Sequence, residues 1–406
     1  MITADVVVVG GGPAGSATAI TLARAGRRVV VVDRARFPRD KCCGDGLTAG
    51  ALRRLESLGL RPAAVPSWQP VRNICLRGPA GRTVRFPLPA GPGLYAAVAR
   101  RADLDAALLD VAREAGVEVI EGARMRSATV AGSGDHVRLT VEGVGALAAR
   151  YVVGADGMWS PLRKALGGEA GGYLGEWHAF RQYFTDVAPA AAAALWVWFD
   201  ADLLPGYAWS FPLPDGCANV GFGMQRVAGE ATGAMKELWP DLLARPHIRD
   251  VLGPDARPES PHKAWPIPAQ GGADLAAAGG RALFVGDAAR VADPMTGEGI
   301  GQALETGMLA ARAIVASGAL DPGGAADSYR RAVAEGLARD NRLAAVLSRH
   351  GIAHRKGVRL SLRLAGSSAW SRRHFGRWLF EDEPRAILAT PHRWHGRLFH
   401  RPGAFG

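Results

Sequence analysis

One stretch near the start of the chain constrains the fold more than any other: a glycine-rich turn between two runs of valine. In DVVVVGGGPAGSATAITLARAGRRVVVVDR, the valines at 6–9 predict a strand buried on both faces, as in a parallel sheet. Gly10-x-Gly12-x-x-Gly15 then begins a helix. Gly10 allows a tight turn, Gly12 lets the backbone approach a pyrophosphate, and Gly15 lets the helix lie close to the sheet. The stretch therefore predicts an α/β fold with a dinucleotide site at a helix N-terminus.

An acidic residue ends the second strand of this unit. The valines at 29–32 lead into Asp33, followed by Arg34. A carboxylate at this position accepts hydrogen bonds from a ribose. It would repel a ribose 2′-phosphate, so the stretch favours FAD or NAD over NADP.

Two later segments repeat the pattern of a strand that ends at an aspartate. RYVVGADG predicts a strand to residue 153 followed by Asp156-Gly157, and RALFVGD predicts a strand over 282–285 followed by Gly286-Asp287. Ligands of α/β sheets bind at the carboxyl ends of the strands. Both aspartates are therefore candidates for the nucleotide site.

With these three motifs in order over residues 4–320, the chain resembles the flavoproteins built like p-hydroxybenzoate hydroxylase. The resemblance implies that FAD is the bound nucleotide, with Asp33 at the adenosine ribose and Asp287 near the ribityl and pyrophosphate groups. Arg101 matches an arginine that reaches the cofactor in that group. A helix from about Gly299 would direct its N-terminus at the flavin edge. The further cofactor-binding residues implied are Ala14, Arg34, Cys43, Gly44, Asp45, Gly157, Gly286, Pro294, Gly297, Gly299 and Ile300.

Two motifs indicate the branch, and both resemble the geranylgeranyl reductase family. The first is FPRDKCCGDGLT at 37–48. The second is Tyr207-x-Trp209-x-Phe211-Pro212, followed after eight residues by Gly221-x-Gly223. Flavin-dependent halogenases need a lysine between the first flavin motif and Asp156-Gly157, and no lysine lies between Lys41 and Lys164. The resemblance implies an FAD-dependent oxidoreductase that reduces a carbon–carbon double bond of an isoprenoid chain.

The aromatic triplet is the candidate substrate wall. Side chains two apart share one face of a strand, so Tyr207, Trp209 and Phe211 are predicted to border an apolar slot with Pro212, Gly221 and Gly223. Tyr207, Trp209 and Cys43 are the candidate catalytic residues. The proton donor is left open among Tyr207, Cys43, Asp45 and a water held by Glu298.

Several alternatives stay open from the sequence. The substrate is a geranylgeranyl diphosphate, an archaeal-type ether lipid or the side chain of menaquinone, and the electron donor is NAD(P)H or a ferredoxin. A first rival function is an FAD-dependent aromatic hydroxylase. A second is a lipid-binding or electron-carrier flavoprotein without catalysis.

The predicted architecture is a Rossmann-type FAD-binding domain (1–70, 95–165 and 275–325) interleaved with a mostly antiparallel substrate domain (71–94 and 166–274). A helical region and basic tail follow at 326–406. The net charge is +11, and residues 349–406 carry twelve Lys or Arg against three acids. This tail, with aromatics such as Trp370 and Trp378, is either a solvated, Arg-rich helical cap or a surface for peripheral contact with an anionic membrane, and nucleic acid is the least favoured partner. A cytoplasmic monomer or dimer without a metal site is expected.

Overall fold

The computed structural model describes residues 2–132, 134–168, 172–226, 233–270, 274–387, 390–396, 398 and 400–406. The strands are β1 (Ile2–Val9), β2 (Val29–Asp33), β3 (Gly46–Thr48), β4 (Gln69–Pro70), β5 (Asn73–Arg77), β6 (Thr83–Pro87), β7 (Ala96–Val98), β8 (Glu118–Glu121), β9 (Met125–Val130), β10 (Val137–Val141), β11 (Gly145–Gly154), β12 (Trp177–Thr185), β13 (Leu195–Trp198), β14 (Tyr207–Leu213), β15 (Cys217–Gln225), β16 (Arg257–Pro258), β17 (Lys263–Ile267), β18 (Ala276–Ala277) and β19 (Ala282–Phe284). The α-helices are α1 (Pro13–Arg24), α2 (Ala49–Ser57), α3 (Arg101–Glu114), α4 (Pro161–Ala165), α5 (Pro189–Ala192), α6 (Gly233–Ala244), α7 (Pro246–Leu252), α8 (Ile300–Ser317), α9 (Pro322–Glu335), α10 (Leu337–Leu347), α11 (Arg355–Ala365) and α12 (Ala369–Leu379).

The first sheet has the order β18-β19-β11-β1-β2-β8, with the hairpin β9–β10 attached to β11. The pairs β1–β2, β1–β11, β2–β8 and β11–β19 are parallel. The valines of β1 and β2 are buried because α1, α3 and α8 cover one face, while the β9–β10 hairpin contributes to the core on the other. The carboxyl ends of β1, β2, β11 and β19 meet at one edge, which places the three sequence motifs together.

The second sheet has the order β16-β12-β15-β14-β13-β5-β6, with β17 also paired to β12. Its pairs are antiparallel apart from β13–β5, which is parallel. One face packs on α6 and α7 through a core that includes Phe180, Phe222 and Trp239. The opposite face carries the side chains of Tyr207, Trp209 and Phe211 on β14.

The C-terminal helices close the side of the second sheet. Val358, Leu362 and Ala365 of α11 share a hydrophobic core with Leu76 of β5 and Phe86 of β6. The mixed α/β class, with an antiparallel sheet and a C-terminal helical region, is as predicted from the sequence. Within the described residues, the helices fall short of the length and apolarity that a membrane crossing requires.

The proposed domain boundaries stay a prediction. Strands of the first sheet come from 2–33, 118–154 and 276–284, and those of the second from 73–87, 177–225 and 257–267. Residues 1, 133, 169–171, 227–232 and 271–273 of the two predicted domains lie outside the described residues, as do 388–389, 397 and 399 of the predicted C-terminal region.

Candidate active site

A cavity of about 1030 Å³ lies where the motif-bearing edge of the first sheet meets the aromatic face of the second. The sequence-predicted residues that line it are Gly10, Gly12, Ala14, Asp33, Arg34, Cys43, Gly44, Asp45, Arg101, Asp156, Gly157, Tyr207, Trp209, Phe211, Gly223, Gly286, Asp287, Gly297, Gly299 and Ile300. Four predicted residues, Gly15, Pro212, Gly221 and Pro294, do not line it. Gly15, Gly221 and Pro294 instead pack against or hydrogen-bond neighbouring groups, and Pro212 lies on the opposite face of its strand.

The glycine-rich turn forms one end of the cavity. Gly10 has φ +106°, and a Cβ there would lie 2.2 Å from the carbonyl oxygen of Ala155. Gly15 packs against the turn rather than facing the cavity, because a Cβ on it would lie 1.8 Å from the oxygen of Gly10. The two glycines together let α1 begin directly beneath the end of β1.

Two charged groups stand beside this turn. The Asp33 carboxylate accepts hydrogen bonds from the backbone N–H of Gly11 (2.7 Å) and of Ala35 (2.8 Å), which fixes its oxygens at the cavity. Arg101 is buried and donates through Nε and Nη2 to both carboxylate oxygens of Asp105 (2.8 and 2.7 Å). This paired geometry holds the guanidinium next to Gly12, whose Cβ position is 3.8 Å from Arg101 Nη2.

The aspartates of the later motifs differ in their surroundings. Asp156 accepts from Ser160 Oγ (2.6 Å) and from the N–H of Leu162 (2.8 Å), so it also fixes the start of α4. Burial raises the pKa of Asp156 to about 6. Asp287 is 3.0 Å from Lys41 Nζ, and although burial opposes ionisation, the Lys41 charge leaves the pKa of Asp287 lowered.

The loop before α8 lies on the floor of the cavity. Gly297 has φ +70°, and Gly299 is the residue immediately before the helix. Glu298 lines the cavity between them and accepts from the N–H of Ile300 at 3.1 Å. Burial, followed by repulsion from Glu381, raises the pKa of Glu298 to about 8. Pro294 instead supports the wall, since its carbonyl accepts from the Trp177 indole at 3.1 Å.

The aromatic triplet forms a continuous wall. The ring centroids of Tyr207, Trp209 and Phe211 are spaced 6.0 Å apart in succession. Pro212 follows in the strand and so points to the opposite face. Tyr207 donates its hydroxyl hydrogen to the carbonyl of Thr296, which joins the wall to the loop before α8.

The loop that contains CGDG lies directly under this wall. A Cβ on Gly44 would be 3.4 Å from the Phe211 ring, and one on Gly46 would be 3.1 Å from it. Asn219 of β15 connects the two elements: it donates to the Cys43 carbonyl (2.9 Å) and to Asp45 Oδ2 (2.8 Å), and it accepts from the Trp209 indole (3.0 Å). Asn219 is fully buried, so this network is rigidly packed.

Asp45 is the carboxyl group of the CGDG loop and lines the cavity. It is fully buried with φ +64°, and its Oδ2 accepts from the Tyr183 hydroxyl at 2.6 Å. Its Oδ1 is buried, and within the described part of the chain it has no hydrogen-bond partner. Burial raises the pKa of Asp45 to about 6, even though the nearby Arg181 charge and the two hydrogen bonds oppose the shift.

Two other candidate proton donors, Cys43 and Tyr207, hold their protons more tightly than Asp45 does. Burial raises the pKa of the Cys43 thiol and that of the Tyr207 hydroxyl, and the neighbouring Glu298 charge adds to the second shift. The four cysteines of the chain are free thiols.

Beyond Trp209 the cavity becomes apolar. On the sheet, its walls are β5 and β13, which follow β14 in the strand order. Chain from the C-terminal region completes this side. The lining residues of this apolar flank are Ile74, Leu76, Leu195, Val197, Phe199, Ile352, Leu379 and Phe380.

Comparison with known proteins agrees with this geometry. A family model described as an FAD binding domain matches residues 3–331. A menaquinone reductase of Mycobacterium tuberculosis is 37% identical over 325 residues, 76% of each chain. A digeranylgeranylglycerophospholipid reductase of Methanopyrus kandleri is 32% identical over 311 residues, 75% of each chain.

The chain belongs to the FAD-binding family of geranylgeranyl and menaquinone reductases. It is therefore an FAD-dependent oxidoreductase. A geranylgeranyl bacteriochlorophyll reductase-like protein from Thermoplasma acidophilum has the same fold, with a TM-score of 0.77 and 20% identity over 97% of this chain and 99% of that one.

The residues present fit the FAD of this family. Gly10 leaves no room for a side chain at the turn, and Gly12 immediately precedes α1, whose N–H groups and helix dipole attract a pyrophosphate. Asp33 presents its carboxylate at the same end. The cavity continues from there past Asp287 to the start of α8, which suits a long, flat cofactor.

Some site residues of this reductase-family chain were not predicted from its sequence. Arg181, Tyr183 and Asn219 reach the site only through the register of β12 and β15, in which Arg181 pairs with Gly221 and Tyr183 with Asn219. One sequence signal was available for Asn219. It precedes Gly221 and Gly223 at the same two-residue spacing and therefore shares their face.

Proposed function

We propose that this protein reduces a carbon–carbon double bond in an isoprenoid chain, either of a geranylgeranyl lipid or of a menaquinone. The observation that carries the proposal is the meeting of two surfaces in one cavity: the dinucleotide-binding loops and a wall of aromatic and aliphatic side chains. The names of the relatives from M. tuberculosis and M. kandleri support the same class of substrate.

The aromatic wall and the apolar flank would bind the chain. An isoprenoid presents almost no hydrogen-bonding groups, so its binding depends on burial, at about 25 cal/mol per Å² of apolar surface. Tyr207, Trp209 and Phe211 would border the reacting double bond, and Gly223 leaves space between the rings. Leu76 and Val197 would contact the units further along the chain.

Reduced FAD, when bound, supplies the hydride for one alkene carbon. The protein must then supply a proton to the other carbon and exclude water. We assign the proton to Asp45 Oδ1, because this group is buried at the cavity and its burial raises the pKa of Asp45 to about 6, towards neutral pH. Asn219 and Tyr183 would hold the carboxyl in place. Tyr207, Trp209 and Cys43 would orient the chain beside it.

The electron donor in this proposal is NAD(P)H or a ferredoxin that meets the flavin transiently. The sequence has one glycine motif of the Gly10-x-Gly12-x-x-Gly15 kind, and we assign it to FAD. NAD(P)H would therefore bind without a nicotinamide domain of its own.

The C-terminal region offers a surface for an anionic membrane. Leu360 and Leu364 lie one turn apart on the exposed side of α11, and Trp370 follows at the start of α12. From 341 to 380 the sequence has nine Lys or Arg and no acid. We propose that this surface, named here the α11 surface, binds anionic lipid. The buried side of α11 packs on β5 and β6, next to the apolar flank, so a bound membrane would lie close to the chain-binding end of the cavity.

The experiment that tests the proposed reaction uses purified holoprotein with a chemical reductant and either menaquinone or geranylgeranyl diphosphate. Mass spectrometry of the product is expected to show a gain of two hydrogen atoms, located in the isoprenoid chain. A product that gains one oxygen atom would instead assign the protein to the hydroxylases of this fold.

A further inference from the structure

One guanidinium from the C-terminal region reaches the cavity. Arg385 follows α12 in the chain and is 3% exposed, and it lines the cavity beside Leu379 and Phe380. It lies outside residues 3–331, which the FAD binding domain family model matches. Arg385 is therefore a feature that the shared FAD-binding region does not explain.

The guanidinium of Arg385 contacts carboxylates through Nε and Nη2 but not through Nη1 among the described residues. Its Nε donates to Asp293 Oδ2 at 2.7 Å, and its Nη2 is 3.6 Å from Glu381 Oε1. Its Nη1 is buried and has no hydrogen-bond partner among the residues that the structure describes. A buried donor without an acceptor is costly, and where such a donor belongs to a residue that lines a cavity, a ligand oxygen can complete it.

Arg385 is linked by hydrogen bonds to Tyr207, the first ring of the aromatic wall. Asp293 Oδ1 accepts from the N–H of Thr296 at 2.8 Å, and the carbonyl of Thr296 accepts from the Tyr207 hydroxyl. Arg385 is thus connected through two residues to the first ring of the wall. A ligand oxygen at Nη1 would lie at the same end of the cavity as Tyr207, with the aliphatic side chains of the flank beside it.

The charges around Arg385 favour a neutral ligand oxygen over an anionic one. Asp293 and Glu381 already face the guanidinium, and Glu298 also lines this part of the cavity. A diphosphate placed here would bring further negative charge against these carboxyl groups. A carbonyl or hydroxyl oxygen would accept the free hydrogen bond without that repulsion.

We infer that Arg385 Nη1 binds a neutral carbonyl or hydroxyl oxygen on the head group that precedes the isoprenoid chain. A quinone ring carries such an oxygen and a diphosphate does not. This inference rests on the proposed function, since it takes the ligand to be an isoprenoid. It adds a head-group subsite to the chain-binding wall.

The test measures binding rather than turnover. Dissociation constants of the full-length holoprotein are compared for three ligands with the same tetraprenyl chain: menaquinone, geranylgeranyl diphosphate and a tetraprenyl hydrocarbon without oxygen. Arg385→Lys keeps a cation for Asp293 and removes the free N–H of the fork. Arg377→Lys is the matched control, because Arg377 is also buried and paired with an acid, Asp382, but does not line the cavity.

Arg385→Lys is expected to weaken menaquinone binding about ten- to hundredfold, the usual effect of losing a hydrogen bond to a charged group. Binding of the hydrocarbon and of FAD should change less than about twofold, and Arg377→Lys should leave all of them unchanged. Equal losses for menaquinone and hydrocarbon, weaker FAD binding, or a larger loss for the diphosphate would each overturn the inference.

The two proposals fail separately. If neither isoprenoid is reduced but menaquinone binding depends on Arg385 as described, the reductase function is wrong and the subsite stands. If double bonds are reduced but the ratio of menaquinone to hydrocarbon affinity is the same in wild type and Arg385→Lys, the subsite is wrong and the function stands.

Discussion

Gly221 and Trp209 pair across β15 and β14, and the indole occupies the space that a side chain at 221 would need. A Cβ on Gly221 would lie 2.4 Å from Trp209 Cζ2 and 2.3 Å from the carbonyl oxygen of Phe180. The first glycine of the Gly-x-Gly signature therefore seats a ring of the wall. The second, Gly223, lines the cavity itself.

The two glycines should respond differently to a methyl group. Gly221→Ala is expected to lower the free energy of unfolding by about 1–3 kcal/mol, because it overpacks a rigid wall and displaces Trp209. Gly223→Ala should change it by less than about 1 kcal/mol, because the nearest atom to its Cβ is 3.6 Å away. Denaturant unfolding of the holoproteins measures both, and similar losses in the two variants would argue against this packing.

Asp45 should control the pH dependence of the reaction. An acid must be protonated to donate, and its pKa of about 6 predicts that the rate of alkene reduction falls as pH rises above about 6. Asp45→Asn should lower that rate by about 10²–10⁴-fold. FAD affinity, measured from the flavin absorbance, is expected to be retained. An unchanged rate in this variant would remove Asp45 from the mechanism.

Tyr183 offers a finer test of the same assignment. Its hydroxyl donates to Asp45 Oδ2 and so stabilises the ionised carboxylate. Tyr183→Phe removes that hydrogen bond, which raises the pKa of Asp45 and moves the descending limb of the pH–rate profile to higher pH. A limb that stays in place, or moves to lower pH, would mean that another group titrates.

The α11 surface should govern membrane binding. Replacing both Leu360 and Leu364 with serine is expected to weaken binding to anionic vesicles more than tenfold, because each leucine contributes about 1.5–3 kcal/mol when buried in lipid. Leu320→Ser is the control, since Leu320 is 91% exposed but lies between α8 and α9. Vesicle co-sedimentation measures this, and a chain ending before residue 350 should lose binding as well. Equal binding by all forms would show that the surface has no such role.

Asp33 should matter for FAD and Asp5 should not. Both carboxylates accept a backbone N–H, from Gly11 and from Arg28 respectively, but only Asp33 of the two lines the cavity. Asp33→Ala is expected to weaken FAD binding about tenfold or more, because a hydrogen-bonded anion is lost at the ribose end. Asp5→Ala should leave it unchanged. FAD titration of the two apoproteins measures both dissociation constants. Equal FAD affinities in the two variants would contradict the role of Asp33.

The sequence predicts a site residue well when the residues that position it are close to it along the chain. Gly10, Gly12 and Asp33 lie within one strand–helix–strand unit, so local pattern places them at the nucleotide end. The period of two likewise places Tyr207 and Trp209 on one face. Pro212 is one residue out of that period and lies on the other face. Gly221 packs against the Trp209 ring, and the motif alone does not show whether a glycine packs against a ring or lines the cavity.

The residues that were missed come from distant parts of the chain. Tyr183 meets Asp45 only because β12 pairs with β15 in one register, and a shift by one residue would turn it to the other face. Arg385 and Ile352 arrive from the C-terminal region, which carries no motif of the family. Their positions depend on how α11 and α12 pack, and periodicity within one segment does not specify that packing.

Flavin reoxidation in the absence of oxygen tests most directly whether the protein reduces isoprenoid double bonds. Fully reduced holoprotein is mixed anaerobically with menaquinol, whose ring is already reduced and cannot take the electrons of the flavin, or with geranylgeranyl diphosphate, and the flavin absorbance is followed while the product is analysed. Oxidised flavin is expected to return in proportion to the double bonds reduced, with two hydrogen atoms added per bond. If the flavin stays reduced with both substrates until oxygen is admitted, and the product then carries an added oxygen atom, the protein is a hydroxylase and not an isoprenoid reductase.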